Sequence, residues 1–125
     1  IVDLCFVIKK TDSDIFACIR YWLIEIGFEK GLLLGPLAVR KDMQRHGLGS
    51  MLINHSLEIA KEKKFNFCFV SGESDYYPKF GFNRIKQKNL ILPGAIDPER
   101  LHIIFFEEGI ENKMGDKPWT VKSSN

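Results

Sequence analysis

Apolar and polar positions follow two different periods along this chain, and the switch between them marks out its elements. "IVDLCFVIK" (residues 1–9) is β-branched and aromatic, which predicts a strand, and "KTDSD" (10–14) is a turn cluster. "IFACIRYWLIEI" (15–26) predicts a second strand, long and apolar on both faces except at Arg20 and Glu25. A short glycine turn leads into "LLLGPLAVR" (32–40), a third strand in which Gly35 and Pro36 predict a bulge, bend or splayed edge. Spacing then changes to three and four residues at Leu48, Met51, Leu52, His55, Ser56, Ile59 and Lys63, which predicts a helix over 48–63. "FNFCFVSG" (65–72) predicts a strand buried on both faces. "SDYYPKF" (74–80) predicts a short helix capped by Ser74 or Asp75 and ended by Gly81. Short strands are expected at 82–85 and 100–108, with a Pro- and Gly-containing loop between them. The order predicts an α/β domain (α+β in some schemes) around one mixed sheet, over residues 1–110, followed by a polar tail from 111 to 125 that is either loose or docked by the Trp119 indole.

Composition adds mainly exclusions. The 125 residues suit one domain, and 45% hydrophobic with 27% charged residues is ordinary for a globular chain. The apolar runs are all too short for a helical membrane span, so no membrane association is expected. A net charge of +2 with dispersed basic residues gives no footprint for nucleic acid. Phe65, Phe67 and Phe69 lack the interleaved Lys or Arg of a base-stacking sheet. Cys5, Cys18 and Cys68 sit in apolar strand-like runs without a CxxC pair, which predicts buried reduced thiols and a cytoplasmic setting. No two of the three histidines have metal-ligand spacing, so no metal is expected. His55 and His102 read as packed core histidines.

The chemistry concentrates in "VRKDMQRHGLGSML" (39–52). A strand running through a glycine turn into a helix presents unpaired N–H groups and the positive end of a dipole to an anion. The stretch lacks the Lys-Ser/Thr pair of a GxxxxGK[ST] loop. It also fails GxGxxG, because Leu52 stands at the third glycine position. Gln44-Arg45-His46-Gly47-Leu48-Gly49 fits Q/R-x-x-G-x-G/A throughout.

That loop resembles the pyrophosphate loop of the GCN5-related N-acetyltransferases, the GNAT superfamily. "LLLGPLAVRKDMQRHGLGSMLI" looks like the family's strand, loop and helix that hold acetyl-CoA, and "GESDYYPKFGF" (72–82) resembles its second landmark, a Tyr-x-Lys/Arg-x-Gly-Phe run. The combination is most similar to a bacterial subgroup of acetyltransferases of undefined substrate. The resemblance covers residues 1 to about 108 and implies a mostly antiparallel, twisted GNAT-like sheet with a central helix after the loop.

It also implies roles. Leu37, Ala38 and Val39 offer backbone groups to the pantetheine arm, with an N–H near Leu37 polarising the acetyl carbonyl. The loop Gln44, Arg45, His46, Gly47, Leu48, Gly49 and Ser50 cradles the pyrophosphate, and Arg40, Lys41, Arg45 or Lys79 reaches the nucleotide phosphates. Tyr77 matches the tyrosine that returns a proton to the departing CoA thiolate; Tyr76 beside it is expected in the core. Glu73 is the first candidate for the base and Glu25 the second. Cys68 has no histidine placed to activate it as a nucleophile. The expected reaction is direct acetyl transfer to a primary amine, on a small molecule or a peptide, by a monomer or homodimer. The alternative is a non-catalytic acyl-CoA-binding or regulatory module.

The family usually opens with a strand and two helices ahead of the strand at 1–9. This sequence lacks that segment, so the resemblance implies a nearly complete cofactor site and an acceptor site short of one wall. Glu25, Glu73, Asp75, Glu107 and Glu108 are expected to line an acidic mouth for a cationic acceptor.

Overall fold

The computed structural model describes residues 4–72, 75–86, 90–92 and 100–123. Its elements are β1 (Leu4–Thr11), β2 (Asp14–Ile26), β3 (Glu29–Val39), α1 (Leu48–Glu62), β4 (Phe67–Ser71), β5 (Asn83–Arg84), β6 (Leu90–Ile91), β7 (Leu101–Phe105), α2 (Ile110–Met114) and β8 (Trp119–Ser123), with 3₁₀ turns at Lys41–Met43 and Tyr77–Phe80.

The strands form one mixed sheet in the order β5-β7-β4-β3-β2, and the outer edge of β2 is shared by β1 and β8. All pairs on this path are antiparallel except β3 with β4, the two strands that flank α1 in the chain. A parallel pair needs a crossover, and α1 supplies it. α1 packs on one face against Tyr21, Leu34, Cys68 and Val70, while Phe67, Phe69, Ile103 and Trp119 fill the other. β4 is buried from Phe67 to Val70, as its unbroken apolar run predicts.

Several expectations are corrected here. The buried stripe of α1 is Leu52, Ile53, Ser56, Leu57 and Ala60, one residue round from the predicted face. His55 is therefore exposed and only its ring edge meets Phe6, at 5.8 Å between centroids. Ser56, which the spacing also placed on that face, is buried. Its hydroxyl donates to the Leu52 carbonyl at 2.6 Å, so the buried Tyr21 hydroxyl is the donor in their mutual 2.7 Å bond. The segment from 111 onward is not a tail: it carries most of α2, and β8 pairs with the end of β2. Trp119 is buried and its indole N–H donates to the Gly115 carbonyl. Cys5 is exposed, because alternate residues of β1 face away from α1.

Candidate functional site

The bulge predicted at Gly35-Pro36 exists. Ile19 pairs with Leu37 and Tyr21 with Leu34, so Arg20 alone opposes both residues. β4 accompanies β3 only from Gly31 to Leu34, and past that point the two strands part. The backbone of Leu37–Val39 is thus paired on its β2 side alone. Parity along the strand decides which groups are left. The Arg40 N–H donates to the Phe16 carbonyl on β2, so Ala38, two residues back, also faces β2. The backbone groups of Leu37 and Val39 then point into the gap. The Gln44 side chain already donates to the Val39 carbonyl at 3.2 Å.

The loop that follows is built for turning. Gly47 has φ 77°, a left-handed conformation that glycine adopts without strain, and it serves as the N-cap of α1. Arg45 is also left-handed at φ 67°, which an L side chain adopts at a cost. No side chain caps α1, so its first N–H groups remain available to an anion. Leu37, Val39, the loop from Gln44 to Ser50 and Tyr76 together enclose a cleft of about 410 Å³.

The tyrosines divide. Tyr76 reaches over the loop, its hydroxyl 3.3 Å from where a Gly49 side chain would start. Sequence reasoning assigned Tyr76 to the core. The signal that places it otherwise is the 3₁₀ turn, which points neighbouring residues in different directions. Tyr77 lies behind it, half-buried against Gly72, Phe82 and His102. Burial, with a smaller contribution from Tyr76, raises the Tyr77 phenol above its ordinary pKa. Tyr76, not Ser74 or Asp75, is the N-cap residue of this turn.

Of the cations considered for phosphate contact, Arg40 is engaged elsewhere. Its guanidinium bridges Asp14 and, at 2.6 Å, Asp42. That pairing raises the Arg40 pKa and lowers that of Asp42. Lys41 and Arg45 remain exposed, and Lys79 lies over the Tyr76 ring. Ala38 and His46 do not line the cleft. Glu73 lies outside the described residues. The acidic mouth is not assembled. Glu25 stands opposite Lys30 at the far end of β3, and Glu107 and Glu108 follow Phe105, which pairs with the first residue of β4. Asp75 lies at the opposite end, beyond the last residue of β4. Among the described residues no cluster of His, Cys, Asp and Glu could hold a metal, and no helix is long and apolar enough to cross a membrane.

A family model described as the acetyltransferase (GNAT) domain matches residues 2–84. The chain belongs to the GNAT acetyltransferase family. Solved GNAT structures share its fold. A GNAT family N-acetyltransferase, YhbS, from Escherichia coli in complex with CoA superposes with a TM-score of 0.81 at 15% identity, over 98% of this chain and 68% of that one. A GNAT family acetyltransferase from Brucella melitensis in complex with acetyl-CoA gives 0.66 at 23% identity, over 85% and 60%. One from Staphylococcus aureus Mu50 gives 0.63 at 17% identity, over 82% and 67%. The chain thus spans 60–68% of these three GNAT chains. Comparison with curated proteins gives no significant match. The GNAT domain match ends at Arg84, so β6, β7, α2 and β8 lie outside it.

Proposed function

We propose that this chain binds acetyl-CoA in the cleft beside β3 and transfers the acetyl group directly to a primary amine. The observation that carries the reading is the meeting of two anion- and amide-seeking surfaces. The open edge of β3 at Leu37 and Val39 runs straight into the uncapped start of α1. A pantetheine arm has amides that bond such an edge like an added strand, and a pyrophosphate takes the N–H groups of Arg45 to Ser50. Lys41, Arg45 and Lys79 supply cations to the nucleotide phosphates.

In the reaction, the amine nitrogen attacks the thioester carbonyl carbon and the C–S bond breaks. Tyr77 gives its hydroxyl proton to the CoA thiolate. A tyrosine hydroxyl is protonated at neutral pH, and burial pushes the Tyr77 phenol further in that direction. The proton lost by the amine goes to a base, for which Glu73 is our candidate; Glu25 is too far along β2. An N–H at Leu37 polarises the acetyl oxygen. The described cysteines are free, which supports a reducing cytoplasmic setting.

One observation favours the second reading, an acyl-CoA-binding module without turnover: Tyr76, not Tyr77, lines the cleft. A panel of small amines and peptides separates the two. Free thiol release and an acetylated product, both cut about 100-fold or more by Tyr77→Phe, support the enzyme. Acetyl-CoA binding without product from any amine supports the module.

A further inference from the structure

His102 is the one histidine in the protein's interior. It is the second residue of β7, opposite Val70 on β4 and Arg84 on β5, and none of its surface is exposed. Its Nδ1 stands 3.0 Å from the Arg100 carbonyl. A carbonyl oxygen only accepts, so Nδ1 carries the proton and Nε2 of the neutral ring is a bare acceptor. That Nε2 is fully buried and has no partner among the described residues. A buried acceptor left unpaired is costly, and native interiors seldom keep one without a use.

Tyr77 is a polar neighbour of this ring. The two rings are 6.3 Å apart between centroids and tilted by 44°. The hydroxyl and Nε2 are not bonded in the structure; ring centres at this separation let a small swing of the phenol bring them to hydrogen-bond distance. Tyr77 is held on its other sides by Gly72, Phe82 and Tyr76, which leaves the phenol little freedom but a rotation about its own axis and a small swing.

We propose that His102 is a positioning residue for Tyr77: its Nε2 accepts the Tyr77 hydroxyl proton as a hydrogen bond, holding the phenol protonated and aimed while the reaction waits for a thiolate. No proton is transferred to His102. When the C–S bond breaks, the thiolate is the stronger acceptor and takes the Tyr77 proton. The catalytic consequence rests on the acetyltransferase reading above; the hydrogen bond itself does not.

The test separates the two. The ¹⁵N signal of His102 Nε2 in the full chain is compared with that of Tyr77→Phe. A shift of Nε2 toward the free-acceptor position on losing the hydroxyl supports the bond. An unchanged Nε2 signal overturns it. In parallel, Tyr77 is followed by its ¹³Cζ resonance through an alkaline titration in His102→Asn and His102→Gln. Asn retains a donor for the Arg100 carbonyl but no group at Nε2, and Gln retains a polar group there. The bond favours the neutral phenol, so its loss in His102→Asn lowers the Tyr77 midpoint and His102→Gln restores it. Equal midpoints in wild type and both variants overturn the proposal.

With any amine that turns over, His102→Asn lowers kcat on the order of tenfold to a hundredfold and leaves KM for acetyl-CoA unchanged, and in the Tyr77→Phe background it has no further effect. An Nε2 response without turnover from any amine would retain the bond and reject the enzymatic reading. Turnover with kcat unaltered by His102→Asn would reject the positioning role.

Discussion

The ring of Tyr77 occupies the space that a side chain on Gly72 would need. Gly72 sits just past β4, tied by its N–H to the Arg100 carbonyl at 3.0 Å, so it cannot yield easily. Gly72→Ala therefore displaces Tyr77. The expected result is a stability loss of about 1–3 kcal/mol from overpacking, with kcat reduced more than acetyl-CoA affinity. Calorimetry and steady-state kinetics on the same variant check this; an unaltered kcat would show that Tyr77 has no positional role.

α1 ends in a Schellman turn. The Lys64 N–H bonds the Lys61 carbonyl at 3.1 Å and the Phe65 N–H bonds the Ala60 carbonyl at 3.2 Å. Lys64 adopts φ 68° there, a position that favours glycine. Lys64→Gly is expected to stabilise the fold by about 0.5–1 kcal/mol, the relief of left-handed strain exceeding the extra freedom of the unfolded chain. Thermal unfolding measures it as a rise of a few degrees.

The Tyr21–Ser56 bond is asymmetric, because Ser56 also donates to Leu52. Tyr21→Phe leaves Ser56 with a partner and is expected to cost about 1 kcal/mol. Ser56→Ala strands the buried Tyr21 hydroxyl and is expected to cost about 1–3 kcal/mol. Urea midpoints of the two variants check the order; the reverse order contradicts the donor assignment.

The glycine loop and its flanking elements were legible because local chemistry sets them: a turn that needs Gly47, and a helix whose period begins at Leu48. The bulge at Gly35-Pro36 was legible for the same reason, since proline cannot sit in an unbroken ladder. The face of α1 was misread by one residue because Met51, His55 and Ile59 share the spacing of the buried Ile53, Leu57 and Ala60, and only the packing against the sheet decides between the two neighbouring stripes. β8 was invisible because "WTVKS" holds one large apolar residue, and its pairing with Ile24–Ile26 is set by tertiary contact. The division between Tyr76 and Tyr77 depends on rotamers in a 3₁₀ turn, which spacing does not encode. The acidic mouth failed because charges distant in sequence were grouped by sign, and the sheet places them at opposite ends.

Burial holds the Cys68 thiol and the Tyr21 phenol neutral well above their ordinary values of 9.0 and 10.0. The unfolded chain releases these protons first as pH rises, so the folded state retains more protons. Stability is therefore full below about pH 9 and falls as pH climbs beyond it. Urea midpoints between pH 7 and 10.5 are expected to decline from about pH 9, and Cys68→Ala is expected to delay the onset toward pH 10. A flat profile would contradict the burial of both groups.

The central claim is that the loop from Gln44 to Ser50 holds the pyrophosphate of an acyl-CoA. Titration calorimetry of acetyl-CoA into the protein and into Gly47→Glu tests it most directly, with Gly47→Ala controlling for strain at φ 77° and circular dichroism for folding. The account predicts micromolar binding by the wild type, weaker binding by Gly47→Ala, and none by folded Gly47→Glu, whose carboxylate repels the pyrophosphate. Equal affinity of wild type and Gly47→Glu would contradict it.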